Sequence, residues 1–479
     1  MSIGISAVGL ATAQGNAAEI LSGAPPRKAS RIPWTLKPET RCPICRPVLG
    51  LDWSLSGIER WQRLAQMAVA DCLNGKPLRP ETPVVVASGN GAAFDFALQD
   101  WENAFDSRIL LNGTPWANPA LPIISGACAS GFHALYLAAR LLESGCEEAF
   151  VLGADILSPA NHANFEALRV LSSEPAPWRR ENSGFVPGEA AVALRLTKGS
   201  GERGYLSRPV LNQDGGQNEG IRNVLAAVSN QRVQLIIGQG SGPAEIDQLE
   251  LAALGKYVPR QIPLTTPLLH FGHTNGTSGL LSIALAVLRQ GASTGLPSLC
   301  MEAPKASDGR PLLAKAPRGV TLVLGRALSG ACAAATVLEE AAPTACRKPV
   351  AKSWRASGVE MALSHPLLRK LACEAREKRA PIPPDLLVVR LGKPIVPRRE
   401  ARIGGKLLPS AILEITPGFM PQLISHCWGF SGAALCLVGD GSTEAAGDRL
   451  IQACRGSGLR VCLVQIRGDG EKRHVDWNV

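Results

Sequence analysis

The stretch Ile124-Ser-Gly-Ala-Cys128-Ala-Ser-Gly131 places a cysteine among small residues, between an apolar run and a helical segment. The helix predicted from Gly131 to Glu143 follows the cysteine at once and ends at Ser144-Gly145, a common C-terminal signal. The positive end of such a helix stabilises a thiolate, and backbone N–H groups at the turn can bind an oxyanion. Cys128 is therefore a candidate acyl-carrying nucleophile, and an inert buried cysteine is the alternative for the motif taken alone.

Short β-rich runs alternate with helical segments on both sides of this stretch. Strands are predicted at 82–88, 149–155, 190–196, 234–238, 320–324 and 334–338, and a helix at 279–289. Strands that alternate with crossover helices predict an α/β fold with a largely parallel sheet. The chain has 479 residues, of which 46% are hydrophobic and 19% charged, which is typical of a globular protein of two or three domains.

Charge and composition argue against nucleic acid and membranes as partners. The formal net charge is +10, but the basic residues are scattered and aromatic residues make up only 5%. We therefore predict no nucleic-acid partner. The sequence contains no uncharged apolar run of about 18 residues, so no membrane span is predicted. The first 15 residues carry no basic residue before their apolar stretch and predict a first strand rather than a signal peptide, so we expect a cytoplasmic protein.

The 13 cysteines are expected to be mostly reduced and buried in that compartment. Cys42-Pro-Ile-Cys45 has the spacing of a metal-ligand pair, but no second pair accompanies it. Two ordinary loop cysteines are therefore favoured over a structural zinc. No metal and no cofactor are predicted.

A series of motifs along residues 1 to about 340 resembles the β-ketoacyl synthase (condensing enzyme) family of the thiolase superfamily. The nucleophile motif of that family, ACASG, is present at residues 127–131. Further stretches match the family in order at residues 5–15, 153–155, 165–172, 177–190, 212–216, 238–250 and 272–276. Several motifs in the same order are far more specific than any one of them.

The resemblance implies a thiolase-like α/β fold, layered α-β-α-β-α, with two pseudo-equivalent halves. Residues 1–200 would form the N-terminal half, which carries Cys128, and residues 201–340 the C-terminal half, which carries His273. The resemblance also implies catalytic roles for Cys128, His273 and Gln239. Cys128 would hold the acyl chain, His273 would orient the acceptor and contribute to the oxyanion site, and Gln239 would donate a hydrogen bond.

The sequence departs from the family at three positions that the resemblance would make functional. The family's first active-site histidine is replaced by Gln239, and an amide can donate a hydrogen bond but cannot act as an acid or base near neutral pH. The lysine that usually precedes the second histidine by five residues is replaced by Leu268. The Gly-Phe-Gly-Gly gating loop is eroded at residues 325–330, where Leu328 takes the place of the phenylalanine.

Residues 341–357, rich in Pro, Ala and basic residues, predict a linker, and residues 358–479 predict an additional C-terminal α/β half-unit. The helix and strand that follow Gly447 parallel those that follow Gly131. Counting back 17 residues from Gly145 reaches Cys128, whereas the same step from Gly458 reaches Gly441, which has no thiol. We interpret this unit as a degenerate ketosynthase-like half-copy. Chance similarity between two βα units is the alternative.

Three functions are compatible with these residues. The favoured function is an acyltransferase of ketosynthase type that loads Cys128 from acyl carrier protein or acyl-CoA and passes the chain to an acceptor without decarboxylation. A decarboxylative β-ketoacyl synthase, which makes a C–C bond, is the second. A non-catalytic partner subunit of a ketosynthase heterodimer is the third, and the retained Cys128 counts against it. The resemblance implies a homodimer, or a heterodimer with a ketosynthase-like subunit.

Overall fold

The computed structural model describes most of the chain. The described residues are 3–36, 40–94, 103–116, 121–181, 184–214, 219–228, 232–240, 243–292, 296–301, 305–313, 319–328, 330–340, 365–378, 384–393, 402–403, 406–407, 416–468 and 473–478. The predicted linker at 341–357 lies outside the described residues.

The strands, in chain order, are β1 Ile3–Thr12, β2 Ser30–Arg31, β3 Ile44–Cys45, β4 Val84–Ala87, β5 Ile123–Ile124, β6 Glu148–Asp155, β7 Ala190–Lys198, β8 Gly204–Leu206, β9 Val210–Gln213, β10 Leu235–Ile237, β11 Leu264–Thr265, β12 Thr321–Arg326, β13 Ala331–Leu338, β14 Leu386–Leu391, β15 Arg402–Ile403, β16 Lys406–Leu407, β17 Ala433–Val438, β18 Val461–Arg467 and β19 His474–Asn478. The α-helices are α1 Ala17–Leu21, α2 Gly57–Leu73, α3 Ser107–Leu110, α4 Ser130–Glu143, α5 Pro159–Ala167, α6 Gly220–Val228, α7 Ala244–Tyr257, α8 Leu268–Phe271, α9 Ser278–Gly291, α10 Pro366–Glu377, α11 Phe419–Trp428 and α12 Glu444–Gly456.

The first 340 residues contain one strand arrangement twice. In the N-terminal half, β1, β7, β6, β4 and β5 lie side by side, with antiparallel pairing from β1 to β6 and parallel pairing from β6 to β5. In the C-terminal half, β9, β13, β12, β10 and β11 repeat this order with the same antiparallel and parallel steps. The predicted pair of pseudo-equivalent halves is therefore confirmed.

The sheet is mixed, so the prediction of a largely parallel sheet was wrong. The strands β12 and β13 show why antiparallel pairs occur in the sheet, because only residues 327–330 connect them. A parallel neighbour needs a crossover of a dozen or more residues, whereas so short a connection returns the chain antiparallel.

Helices fill the space between the two halves and cover their outer faces. The helices α4 and α9 are buried along almost their whole length and contact each other. The helix α4 also contacts β4 and β6, and α9 contacts β7 and β12. On the outer faces, α2 covers β1, β6 and β7, while α6 covers β9 and β13. This order of layers confirms the predicted thiolase-like fold.

The outer helix α2 shows how the local sequence produces one layer. Ser56 caps its N-terminus by accepting from the N–H of Glu59, and the Glu59 side chain accepts from the Ser56 N–H. Apolar side chains recur along one face with helical spacing, at Trp61, Leu64, Ala65, Ala68, Val69 and Cys72, and all are buried. The helix ends where Asn74 adopts a left-handed conformation with φ of 45°.

The C-terminal unit, defined here as Pro366–Asn478, extends the same sheet. Within it β14 lies between β17 and β18 with parallel pairing, and β19 is antiparallel to β18. The strand β17 pairs antiparallel with β5, so that Leu437 lies opposite Ile124 and Val438 opposite Ile123. The additional C-terminal α/β half-unit is thus confirmed, and it is hydrogen-bonded to the strand that precedes Cys128.

Among the helices of the described ranges, none combines the length and the apolar composition that a membrane span requires.

Candidate active site

Cys128 lies on the turn between β5 and the buried helix α4, as the sequence predicts. The Ser130 Oγ ties this turn by accepting from the Gly126 N–H at 2.8 Å and donating to the Ala127 carbonyl at 2.6 Å. Ala127 has a φ of 51°, a left-handed conformation that costs energy in any residue with a Cβ. The turn therefore holds a partly exposed Cys128 at a helix N-terminus by a strained but hydrogen-bonded backbone.

His273 lies beside the nucleophile although 145 residues separate them. The Cys128 Sγ and the His273 Nε2 are 3.3 Å apart. The imidazole ring is buried against two aromatic rings, stacked on Phe165 at 5.6 Å between ring centroids and edge-on to Phe185 at 4.3 Å. Its backbone N–H donates to the Val186 carbonyl at 2.8 Å, which fixes the segment that carries it.

The hydrogen bonds of His273 determine which ring nitrogen carries the proton. The backbone N–H of Asn275 donates to Nδ1 at 3.1 Å, so Nδ1 is an acceptor. In a neutral imidazole the other nitrogen then carries the hydrogen, and Nε2 points an N–H at the sulfur. Burial lowers the pKa of His273 to about 4, so the ring is neutral at pH 7.

The Cys128 thiol is protonated in the unliganded site. Burial raises the pKa of Cys128 to about 12, and the negative charge of Asp155 acts in the same direction. The backbone N–H groups of Cys128 and Leu328 act in the opposite direction, because they donate toward the sulfur. Those two donors belong to the nucleophile turn and to the eroded gating loop, so an oxyanion formed beside the sulfur would have two backbone N–H groups near it.

Gln239 follows β10 and lines the same cavity as Cys128 and His273. Its backbone N–H donates to the Glu250 carboxylate at 2.9 Å, and the Gly240 N–H donates to the other carboxylate oxygen at 3.1 Å. The Trp178 indole N–H also donates to Glu250, at 2.8 Å. Glu250 therefore holds the Gln239 turn through two backbone N–H groups and ties it to Trp178 through a third, so it is a positioning residue.

Asp155 holds the histidine segment against the end of β4. Its carboxylate accepts from the backbone N–H groups of Gly89, Asn90 and Thr277 and from the hydroxyls of Ser88 and Thr277. Burial nevertheless raises its pKa to about 6. Since Thr277 lies four residues after His273, these bonds join the end of β4 to the loop that carries the imidazole.

The substitution at Leu268 removes a charge from the site. Leu268 is buried in a cluster with Phe165, Leu171, Phe185 and Val186. The resemblance would put a lysine there, but the surroundings in this chain are apolar. The position therefore packs the wall behind His273.

The cavity beside Cys128 has a volume of about 180 Å³ and is lined by residues from three parts of the chain. Charged side chains on its wall are those of Asp214, Asp247, Glu250 and Arg326. Gln422, from helix α11 of the C-terminal unit, also lines it. No motif in the sequence points to Gln422, because its place depends on how the C-terminal unit packs. The sequence does place Arg326 close to the site, since it lies within the eroded gating loop at residues 325–330.

Three further titratable residues, His133, His270 and Glu189, are not among the described residues that line this cavity. His133 is buried below the nucleophile turn, against Gly126. The His270 ring lies near the Cys300 carbonyl, at 3.1 Å from Nε2. Glu189 forms a buried ion pair with Arg60 at 2.6 Å and accepts from two backbone N–H groups, which agrees with a structural role.

The described residues contain no group of three or more His, Cys, Asp or Glu side chains placed to hold a metal ion. Cys42 and Cys45 are both buried, and the Cys42 thiol donates to the Ile44 carbonyl at 3.3 Å.

The fold is thiolase-like, with Cys128 and His273 side by side at a strand-to-helix turn, and comparison with known proteins shows what the chain is similar to. The model of the β-ketoacyl synthase N-terminal domain matches residues 121–200. A mycocerosic acid synthase-like polyketide synthase from Mycobacterium tuberculosis is 30% identical over 196 residues, which are 36% of this chain and 9% of that protein. A highly reducing polyketide synthase from Leptosphaeria maculans is 27% identical over 211 residues, which are 38% of this chain and 8% of that protein. The match thus spans less than a tenth of each relative.

Solved structures share the fold at low sequence identity. A β-ketoacyl synthase from Burkholderia phymatum matches with a TM-score of 0.58 and 18% identity, over 71% of this chain and 100% of its own. A protein named PfaC keto synthase–chain length factor matches with a TM-score of 0.70 and 12% identity, over 97% of this chain and 74% of its own. Together with the sequence matches, these findings confirm that the chain is a relative of the β-ketoacyl synthases of the thiolase superfamily.

Proposed function

We propose that this protein is an acyltransferase of ketosynthase type that carries an acyl group as a thioester on Cys128. The observation that carries the proposal is the 3.3 Å approach of the His273 Nε2 to the Cys128 Sγ, at the N-terminus of a buried helix. A nucleophile, a helix N-terminus and two backbone donors are the parts that acyl transfer needs.

The loading step exchanges one thioester for another. The Cys128 thiolate attacks the carbonyl carbon of an acyl thioester delivered by acyl carrier protein or coenzyme A, and a new C–S bond forms. The oxyanion of the tetrahedral intermediate is held by the N–H groups of Cys128 and Leu328. The bond to the carrier sulfur then breaks, and the proton that left Cys128 ends on the carrier thiol.

His273 acts in this proposal as a hydrogen-bond donor. Because Nδ1 accepts from the Asn275 N–H, the neutral ring presents Nε2–H to the sulfur and has no lone pair there to take its proton. The Nε2–H would stabilise the thiolate first and then the oxygen of the acyl acceptor. This role differs from that of a general base, and the two roles predict different pH profiles.

Transfer without decarboxylation is favoured by the charge of the cavity wall. Among the described residues that line the cavity, three are acidic, Asp214, Asp247 and Glu250, and one is basic, Arg326, so acidic groups are in excess there. A malonyl carboxylate entering it would meet like charge. Leu268 supplies no cation to offset this, because it is apolar and buried.

A decarboxylative condensation is the second candidate function. Gln239 and His273 line one cavity with Cys128, and the Gln239 amide can supply the second N–H donor that an enolate requires. This observation favours C–C bond formation, and the charge of the wall opposes it.

The test is intact-protein mass spectrometry with carrier and coenzyme A thioesters. Wild-type protein should gain one acyl group and Cys128→Ala should gain none. Subsequent addition of malonyl carrier protein should release no CO2, whereas CO2 and a lengthened product would establish condensation. An absence of adduct from every donor would overturn the nucleophile assignment and favour the partner-subunit function.

We also propose that the C-terminal unit is a degenerate ketosynthase-like half-copy that takes the place of a partner subunit. Its strands β14, β17, β18 and β19 follow the same chain order and pairing directions as β4, β5, β6 and β7. The antiparallel pairing of β5 with β17 sets the two similar units edge to edge, as a two-fold axis would.

This second proposal concerns the partners of the chain. The expected ketosynthase-like partner would be supplied by residues 366–478 of the same chain, and the carrier protein or coenzyme A would be the external partner. Light scattering on the full chain should then give a monomer mass. The contrary result would be a stable dimer whose β5 backbone amides are protected from hydrogen exchange only at high protein concentration, where the dimer forms.

A further inference from the structure

Two hydroxyl groups follow the ring nitrogen of His273 that does not face the sulfur. The Ser278 Oγ lies 3.4 Å from the His273 Nδ1, and the Thr274 Oγ1 lies 3.1 Å from the Ser278 Oγ. Ser278 is the first residue of α9 and is half-buried, whereas Thr274 is only 1% exposed. A chain of polar contacts therefore runs from the Cys128 sulfur through the imidazole to a buried threonine.

The burial of Thr274 indicates the direction of these hydrogen bonds. If Ser278 donated to Thr274, the Thr274 hydroxyl hydrogen would have no acceptor among the described residues. A buried donor without an acceptor costs about 1–3 kcal/mol. In the opposite direction Thr274 donates to Ser278 and Ser278 donates to the His273 Nδ1, so that both hydroxyl hydrogens are used.

The His273 Nδ1 then accepts from two donors. The Asn275 backbone N–H is 3.1 Å away, and the Ser278 hydroxyl approaches to 3.4 Å. Both bonds need the lone pair of an unprotonated Nδ1. A hydrogen on Nδ1 would break both bonds and would point at the Asn275 N–H, which cannot turn away because it belongs to the backbone.

We propose that Ser278 is a positioning residue for His273, whose hydroxyl, held by Thr274, keeps Nδ1 an acceptor and so keeps the Nε2–H directed at the Cys128 sulfur. The inference rests on the proposed function, because it names the group that maintains the ring as a donor. A second donor at Nδ1 also polarises the imidazole, which strengthens donation from Nε2 to the thiolate.

The experiment observes the ring nitrogen itself by NMR. Full-length protein is labelled with ¹⁵N-histidine, and the His273 signals are assigned, among those of the seven histidines, by their absence in His273→Gln. At pH 8 the wild-type protein should show an unprotonated Nδ1 and a protonated Nε2. In Ser278→Ala the Nδ1 resonance should move toward that of a nitrogen with fewer hydrogen bonds. Loading of Cys128 should slow about three- to tenfold, the usual effect of one hydrogen bond.

Two further variants separate the hydroxyl from the packing of the helix. Ser278→Thr keeps a hydroxyl on the same carbon, and should restore both the Nδ1 resonance and the loading rate. Ser282→Ala makes the same change one turn further along α9, and should match the wild-type protein in both measurements.

The outcomes separate this inference from the proposed function. An Nδ1 resonance that is unchanged in Ser278→Ala overturns the inference, and so does a moved resonance with an unchanged loading rate. If Ser278→Thr is as slow as the alanine variant, the role of Ser278 is only structural and the inference fails. If no donor acylates wild-type Cys128, the proposed function has failed, and the Nδ1 resonance still decides whether Ser278 bonds to the ring.

Discussion

The backbone N–H of Ser125 donates to the carbonyl of Cys436 at 3.0 Å, three residues before the nucleophile. This bond continues the antiparallel pairing of β5 with β17 as far as the turn that carries Cys128. The C-terminal unit is therefore part of the support of the active cysteine. Two residues of the same unit line cavities beside Cys128. Gln422 lines the cavity of about 180 Å³, and Thr416 lines a smaller one of about 60 Å³.

Gly418 tests this support directly. A Cβ at Gly418 would lie 2.7 Å from the Ala127 nitrogen and 2.8 Å from the Gly126 carbonyl carbon. We expect Gly418→Ala to lower the free energy of unfolding by about 1–3 kcal/mol, because the nucleophile turn must move. Loading of Cys128 should slow as well. Urea unfolding and the rate of adduct formation measure the two effects.

The matched control is Gly441→Ala in the same unit, where a Cβ meets no atom within 4 Å. It should leave both stability and loading unchanged. Equal behaviour of the two variants would mean that the contact between Gly418 and the turn is unimportant.

The role of His273 is tested by two substitutions. His273→Ala removes the Nε2–H and should slow loading by about 10²–10³-fold, the usual loss for one donor at a developing charge. His273→Gln keeps an N–H donor but no base, and should retain clearly more activity than the alanine variant. If His273 were a general base, both variants would be equally slow, and single-turnover mass spectrometry would show it.

The pH dependence of loading follows from two shifted pKa values. The thiolate is the reactive form and the pKa of Cys128 is raised to about 12. Its fraction should therefore increase about tenfold per pH unit between pH 6 and 9. The pKa of His273 is lowered to about 4, so its protonation does not change over this range. The loading rate, after subtraction of the rate measured with Cys128→Ala, should rise steadily from pH 6 to pH 9. A plateau that begins near pH 7 would contradict the role of His273 as a donor.

Glu250 is predicted to position Gln239. Its carboxylate accepts three N–H groups, and Glu250→Gln leaves at least one of them without an acceptor. We expect a loss of about 1–3 kcal/mol in the free energy of unfolding. Transfer to an acceptor should slow, while loading of Cys128, which uses other donors, should change little.

The exposed Glu181, paired with Arg179, provides the comparison for Glu250. Glu181→Gln should change the free energy of unfolding by about 0–1 kcal/mol. Denaturant titration of both variants measures the free energy of unfolding, and the rates of loading and of transfer are timed separately. Together they show whether Glu250 acts on transfer through Gln239. An equal slowing of loading and transfer in Glu250→Gln would point to general disruption of the site.

Local features of the sequence determined the turn that carries Cys128 and most elements around it. The run of small residues between an apolar strand and an amphipathic helix predicts the turn at Cys128, because both the strand and the helix follow from the spacing of their own side chains. The predicted helix at 279–289 is observed as Ser278–Gly291, and the strand at 149–155 as Glu148–Asp155. The motif around His273 identified the histidine through resemblance.

Only the tertiary structure decided what surrounds the sulfur. The approach of His273 to Cys128 depends on packing between distant segments, and so does the support of the Gln239 turn by Trp178 and Glu250. The pairing of β5 with β17 likewise joins residues more than 300 positions apart. The sequence of an apolar strand does not specify which strand it pairs with, because every strand offers the same backbone hydrogen-bonding groups. The neighbouring strand is instead selected by how whole layers of side chains pack together.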